Sequence, residues 1–318
     1  MRTTILDSYT ADQGRDAWQT LRQSCALTVH LRSQRSQVVD RCRDAEAVIT
    51  NKVAIDAQAL AALPSVRYIG VMATGTNVVD LDACRNRGIV VSNVPGYATE
   101  SVAQLVFAQV LQVTHDVAGH SHDAKSGRWS GSEDFCFFRQ PLVELAGKTL
   151  VVIGSGAIGS SVARIARAFG MRTIAAQVPG STNTGRMPLP EALREADVVS
   201  LHCPLTPRTE RLVDEAFLRA LKQGAILVNT GRGPLLDEAA VVAALASGLL
   251  GGLCVDVLSS EPPPAGHPFM DRGQPWSGRV VVTPHIAWGT IEARARLIDE
   301  VTANLVAFAA GRERNRVA

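Results

Sequence analysis

At 318 residues the chain is long for one hydrophobic core and comfortable for two domains. Its apolar fraction of 46% and charged fraction of 19% describe an ordinary globular protein and exclude a disordered or fibrous one. A net charge of +2 spread along the chain leaves no basic face for nucleic acid or a membrane surface.

From the N-terminus, short apolar, β-branched runs alternate with helical patterns. "TTILDSY", "CALTVHL", "EAVIT", "VRYIGVMA" and "IVVSNV" read as strands, with "DAWQTLRQS", "DAQALAAL" and "DLDACRNRG" as helices between them. Arg32, Arg35, Arg41 and Arg43 form the densest basic run and read as a solvated face. After Val94-Pro95-Gly96, one long helix is expected over 99–120, followed by a loop from Ser121 to Glu144. His115, His120 and His122 read as polar residues at the end of that helix, and no metal site is expected. No apolar run reaches the ~18 residues that span a bilayer, and "MRTTILDSYT" lacks an apolar signal core. The six cysteines form no C-x-x-C pair, so a reducing, cytoplasmic setting is expected.

A second alternating series begins at "KTLVVIG" and runs through "RTIAAQ", "DVVSLH", "AILVNT", "GGLCVDVL" and "RVVVTPH". Its helices are expected near 157–169, 214–221 and 237–247, and a last helix over 290–310 follows without a further strand. Strands alternating with helices imply parallel sheets covered on both faces. Two such series predict two domains with a cleft, the last helix packing back on the first domain. Ligands of open parallel sheets sit at the carboxyl ends of the strands.

Gly154-Ser155-Gly156-Ala157-Ile158-Gly159 fits G-x-G-x-x-G between a strand and an amphipathic helix. Gly154 permits the tight turn, Gly156 admits a pyrophosphate to the backbone, and Gly159 lets helix and strand pack closely. Polar residues follow three later strands. Asn229, Thr230 and Arg232 stand in "LVNTGRGPLLDE", Asp256 and Glu261 in "CVDVLSSEPPP", and His285 in "VVVTPHIAW". Three such groups beside a dinucleotide motif point to catalysis.

The stretches "GTNVVDLDACRNRGIVVSNVPGYATESVAQ", "ELAGKTLVVIGSGAIG", "ADVVSLHCPLTPRT", "ILVNTGRGPLLDEAAVVAAL", "DVLSSEPPP" and "TPHIAW" resemble the D-isomer-specific 2-hydroxyacid dehydrogenases over nearly the whole chain. "NVPGYATESVAQ", "FCFF" and "TPHIAW" are most similar to the glycerate dehydrogenase/hydroxypyruvate reductase branch, although "FCFF" departs from the aromatic-Trp version expected there. The resemblance implies an α/β fold of two doubly wound parallel-sheet domains. A flavodoxin-like substrate domain would take residues 1–98 and 290–318, and a Rossmann dinucleotide domain residues 99–289. It also implies a homodimer, with no nucleic-acid or membrane partner.

The activity implied is hydride transfer between NAD(P)H and a small 2-keto or D-2-hydroxy acid, such as hydroxypyruvate or glyoxylate. Catalytic roles fall on Arg232, Glu261 and His285. His285 would exchange the proton of the carbonyl oxygen. Glu261 would favour the charged imidazole and fix its tautomer. The forked guanidinium of Arg232 would hold the substrate carboxylate. The implied cofactor contacts are Val102, Gly154, Gly156, Ala157, Ile158, Gly159, Gln177, His202, Cys203, Pro204, Thr209, Thr230, Gly231, Asp256, His285 and Ala287, with Asp256 on the nicotinamide amide. Substrate contacts fall on Asn51, Ala73, Thr74, Gly75, Arg232, His285 and Trp288, and the segment from Phe135 to Arg139 would help shape the pocket.

Gln177 lies 177 − 156 = 21 residues past the second motif glycine, where an acidic residue would bind the adenosine ribose and repel a 2′-phosphate. Gln177 removes the repulsion, while Val178 and Pro179 add no cation. Ser181, Thr182 and Asn183 offer donors, and Arg186 reaches the site if its loop folds back. Use of both NAD and NADP within about tenfold is therefore expected, about 1.4 kcal/mol of discrimination. The alternative is a dinucleotide-sensing, corepressor-like scaffold with the same fold and little turnover.

Overall fold

The computed structural model describes residues 1–12, 17–183 and 185–318. Asp16, at the start of the first expected helix, and Thr184, in the loop after Gln177, lie outside the described residues. The chain divides into two compact units, Met1–Ala98 with Trp288–Ala318, and Thr99–Ala287.

The first unit contains β1 (Arg2–Ile5), α1 (Gln19–Ser24), β2 (Ala26–Val29), α2 (Val38–Cys42), β3 (Ala47–Thr50), α3 (Ala57–Ala61), β4 (Tyr68–Val71), α4 (Leu81–Asn86) and β5 (Val90–Ser92). All five strands pair in parallel in the order β2-β1-β3-β4-β5, the flavodoxin-like order. Helix α2 falls within the run read as a polar face; it buries Val38 and Cys42, its half-buried Arg41 donates to Arg32 O at 2.5 Å, and Arg43 beyond its end is exposed. Asp56 and Asp80 cap α3 and α4 by accepting the third helical N–H.

The second unit contains α5 (Thr99–His115), α6 (Val117–Lys125), β6 (Thr149–Ile153), α7 (Ala157–Ala168), β7 (Arg172–Ala176), α8 (Leu189–Glu195), β8 (Val198–Leu201), α9 (Glu215–Arg219), β9 (Ala225–Asn229), α10 (Glu238–Ala246), β10 (Leu250–Val255) and β11 (Val280–Val282). The expected helix over 99–120 is in fact two. Asp116 adopts a left-handed φ of 43° and accepts from Gly119 N at 3.2 Å, ending α5 and capping α6. Helix α6 then extends five residues into the expected loop. His120, on α6, accepts from the backbone N of Arg139 at 3.1 Å. Helix α8 is an addition to the expected elements; Pro188 is its N-cap residue and Pro190 falls in its first turn, where proline is tolerated.

The sheet of this unit is parallel in the order β11-β10-β9-β8-β6-β7. Outside β7, Met187 makes a one-residue parallel bridge to Ala176. Counting that bridge as a third strand gives the 3-2-1-4-5-6 order of dinucleotide-binding sheets, with β11 added as a seventh strand beside the sixth. The reversal of order falls between β6 and β8, beside the glycine loop. Strand β6, "TLVVI", is buried at every residue, as a strand covered on both faces requires.

The terminal helix α11 (Ile291–Ala309) belongs to the first unit and packs on β4. Its Phe308 ring lies 4.8 Å from that of Tyr68, and Asn304 Nδ2 donates to Asn93 O at 2.9 Å. Beyond it the chain returns to the sheet edge, where Val91 N donates to Ala318 O at 3.0 Å and Arg316 bridges Ser92 antiparallel. That added edge pairing was not expected from the sequence.

Candidate active site

The glycine loop after β6 is built by exclusion. Gly154 has φ 98°, and a Cβ there would lie 2.4 Å from Cys203 N. At Gly159 a Cβ would meet Gly154 O at 2.1 Å, so only glycine lets α7 approach the strand. A Cβ on Gly156, in contrast, has no atom within 4 Å. Gly156 caps α7 without a side chain, leaving the first-turn N–H groups around Ala157 and Ile158 open to an anion.

The neighbouring loops complete this face. Gln177 follows β7 half-buried, its backbone N bonded to Met187 O at 2.8 Å. After β8, His202 Nε2 pairs with Ser200 Oγ at 2.8 Å, and burial pushes this imidazole down to about 4, so it is neutral. Burial also pushes the Cys203 thiol up to about 11. The buried Thr209 hydroxyl donates to Pro204 O at 2.7 Å and accepts from Thr206 N at 2.8 Å, locking that turn. Val102 is buried on α5. The Oγ1 of Thr230 is buried and has no hydrogen-bond partner among the described residues. An orphaned hydroxyl and an open helix N-terminus beside Gly156 are what a dinucleotide would satisfy.

The three candidate catalytic residues follow adjacent strands β9, β10 and β11. Asn229 shapes the first turn, accepting from Gly231 N at 3.0 Å and donating to Arg232 O at 2.8 Å. Arg232 is exposed, with Nη1 on Gly231 O at 2.7 Å. In the second turn Glu261 Oε1 accepts from Leu258 N at 3.0 Å, which turns Oε2 onto His285 Nδ1 at 2.6 Å. With the carboxylate accepting from Nδ1–H, Nε2 is the nitrogen left for a ligand.

His285 takes a left-handed φ of 54°, and its N donates to Asp256 O at 2.8 Å. Asp256 holds this turn from below. Its carboxylate accepts from Thr283 Oγ1 at 2.5 Å, Ile286 N at 2.9 Å and Ala287 N at 2.8 Å. Gln109 on α5 supports it by donating to Thr283 Oγ1 at 2.9 Å. Burial raises the Asp256 carboxyl above its ordinary range, and the three hydrogen bonds oppose that shift.

Sequence reasoning missed the residues that fasten these turns. Glu238 Oε1 accepts from Ser259 N at 3.1 Å and Ser259 Oγ at 2.8 Å, while Oε2 meets the buried His267 at 3.2 Å. Glu238 thus pins the turn that carries Glu261, and no local pattern marks a partner 21 residues away.

In the first unit, Asn51 is buried, with Nδ2 donating to Met72 O at 2.5 Å and Oδ1 accepting from Thr10 Oγ1 at 3.4 Å. The turn after β4 is held by Val94 N donating to Ala73 O at 3.0 Å and Thr74 Oγ1 to Val94 O at 2.9 Å, with Gly75 half-buried beside them. Trp288 sits edge-on to Tyr97, ring centroids 6.4 Å apart. In the second unit, Phe135 and Phe138 are exposed rather than lining a pocket of that unit.

A family model of the D-isomer specific 2-hydroxyacid dehydrogenase, NAD binding domain, matches residues 107–287. The chain belongs to the D-isomer specific 2-hydroxyacid dehydrogenases. It is 36% identical to a hydroxypyruvate reductase of Blautia hydrogenotrophica over 319 residues, 98% of each chain. It is 39% identical to a glycerate dehydrogenase of Methylorubrum extorquens over 281 residues, 88% of each. Among solved dehydrogenases, an NADPH-dependent glyoxylate/hydroxypyruvate reductase of Sinorhizobium meliloti, in complex with NADP and malonate, superposes with a TM-score of 0.83 at 26% identity, covering 100% of this chain and 96% of that one. The two parallel α/β units are thus the two-domain fold of this dehydrogenase family. Among the described residues, no helix is long and apolar enough to cross a membrane.

Proposed function

We propose that this dehydrogenase reduces small 2-keto acids, hydroxypyruvate or glyoxylate, to D-2-hydroxy acids with NADH or NADPH. The carrying observation is the 2.6 Å pair of Glu261 Oε2 and His285 Nδ1, set at strand ends of the unit that bears the glycine loop. The residues fit the cofactor through the α7 N-terminus beside Gly156, the loop of His202 to Pro204, and the unpartnered Thr230 hydroxyl. Bound there, the dihydronicotinamide supplies the hydride to the carbonyl carbon.

The chain's own residues supply the rest. His285 Nε2 gives its proton to the carbonyl oxygen as negative charge develops on it, and Glu261 stabilises the imidazolium needed for that donation. Run backwards, neutral Nε2 takes the proton from the alcohol. Arg232 grips the carboxylate as a fork and orients the carbonyl. With Gln177 in place of a carboxylate, both dinucleotides bind within about tenfold.

In this reading residues 99–287 carry the cofactor, and the unit of 1–98 and 288–318 contributes to substrate recognition. A cytoplasmic homodimer is the proposed setting, supported by six unpaired cysteines and by the exposed apolar side chains of Trp129, Phe135 and Phe138. Turnover of NADH and NADPH with a 2-keto acid panel, beside His285→Ala, tests the activity. Cofactor binding with no turnover on any 2-keto acid would leave only a sensing scaffold.

A further inference from the structure

We infer that Arg208, on the turn after β8, supplies the cation that the strand end at Gln177 lacks and binds the 2′-phosphate of an adenosine ribose. This rests on the proposed dinucleotide site and assigns one residue within it. Strands β7 and β8 flank β6 on opposite sides, so the loops that follow them flank the glycine loop. Gly180, three residues past Gln177, has φ 80°, and a Cβ there would lie 2.6 Å from Arg208 Cδ and 3.3 Å from Nη1. The three atoms nearest that position all belong to Arg208. Its side chain therefore lies across the bare backbone of the loop where the acidic ribose ligand is missing.

Two further observations favour a phosphate over a surface role. The base of the side chain is held, since Thr209 locks the 204–209 turn and Arg208 N donates to Thr206 Oγ1 at 3.3 Å. Arg211, three residues on, is already paired with Asp237. Arg186 on the Gln177 loop, like Arg208, forms no ion pair among the described residues but is not among the atoms nearest Gly180. Among the described residues Arg208 forms no ion pair, although exposed Glu210 is two residues away. A forked, unpaired guanidinium beside a glycine, with no carboxylate at position 177, matches a phosphate dianion. No pairing or periodicity in the sequence links position 208 to position 180.

The test is calorimetric titration of wild type and Arg208→Gln with adenosine 2′,5′-bisphosphate and with AMP, beside NADPH and NADH. These ligands need no turnover, so the result is independent of which keto acid is reduced. Wild type is expected to favour the bisphosphate over AMP, and Arg208→Gln to lose at least tenfold on the bisphosphate relative to AMP. NADPH should weaken in the same proportion, and added salt should erode the wild-type preference. An equal loss on both nucleotides would assign Arg208 to the shared adenine and overturn the proposal. Unchanged bisphosphate affinity would overturn it as well. If wild type bound neither NADH nor NADPH, the dinucleotide site itself would fall and the proposal with it.

Discussion

Two alanine substitutions three residues apart should separate folding from ligand binding in the glycine loop. Gly156 has φ −71° and ψ −160°, which alanine tolerates, and its Cβ would meet nothing within 4 Å. Gly156→Ala should therefore leave stability unchanged or raise it by about 0.4–1 kcal/mol through the unfolded chain. The added methyl occupies the approach to the open α7 N-terminus, so dinucleotide affinity should fall at least tenfold, about 1.4 kcal/mol.

Gly159→Ala places its Cβ 2.1 Å from Gly154 O and 2.9 Å from Val152 Cγ1. Gly154 O is backbone rather than the far end of a flexible side chain, so the clash is not relieved by a rotamer change. Overpacking of this kind costs about 3 kcal/mol. In a unit of this size that lowers the melting temperature by roughly 6–12 °C. Differential scanning calorimetry and NADH fluorescence titration on both variants give the comparison. Wild-type dinucleotide affinity in a fully folded Gly156→Ala protein would refute the assignment of that open face to the pyrophosphate.

Other substitutions test the chemistry and its scaffold. His285→Ala should lower kcat/KM by about 10²–10⁴, the usual worth of a positioned acid, with Arg232→Ala costing more than Glu261→Gln because it removes orientation and charge together; steady-state kinetics with hydroxypyruvate checks the order. Asp256→Asn leaves one acceptor oxygen for a carboxylate now bonded to Thr283, Ile286 and Ala287; kcat should drop as the His285 turn loosens, and wild-type kcat would show that the turn does not need the carboxylate.

The pH dependence of stability follows from His202. Its folded-state value of about 4 lies below the ordinary 6.5, so above pH 6.5 both states are neutral and nothing is contributed. As pH falls from 6.5 towards 4 only the unfolded chain takes up the proton, and stability is lost, by about 2 kcal/mol at pH 5. Urea unfolding at pH 7 and pH 5 should show a smaller loss in His202→Gln than in wild type.

Much of this molecule is legible without coordinates because its signals are local. The buried run "TLVVI", the three glycines after it and the polar groups at later strand ends each depend on neighbours a few residues away. Parallel strands buried on both faces show as continuous apolar stretches, and a glycine motif carries its own turn geometry. Local signals mislead where backbone conformation decides. The 99–120 pattern is apolar and helical throughout, yet Asp116 turns left-handed and splits it. Helix α8 starts at Pro188-Leu189-Pro190, where proline breaks a helical pattern in sequence but is tolerated at an N-terminus.

The two α/β series and the glycine loop are written in patterns local to the chain, and Arg232, Glu261 and His285 stand out there as polar groups after apolar runs. Only the tertiary structure decided how those residues are held. Asp256 and Gln109 brace the His285 turn, Glu238 grips Ser259 and His267, and Arg208 crosses Gly180. Each is a contact between loops that follow different strands or between a loop and a helix. The physical reason is that a parallel sheet gathers distant segments at its carboxyl edge, and strand order, not spacing along the chain, sets who meets there.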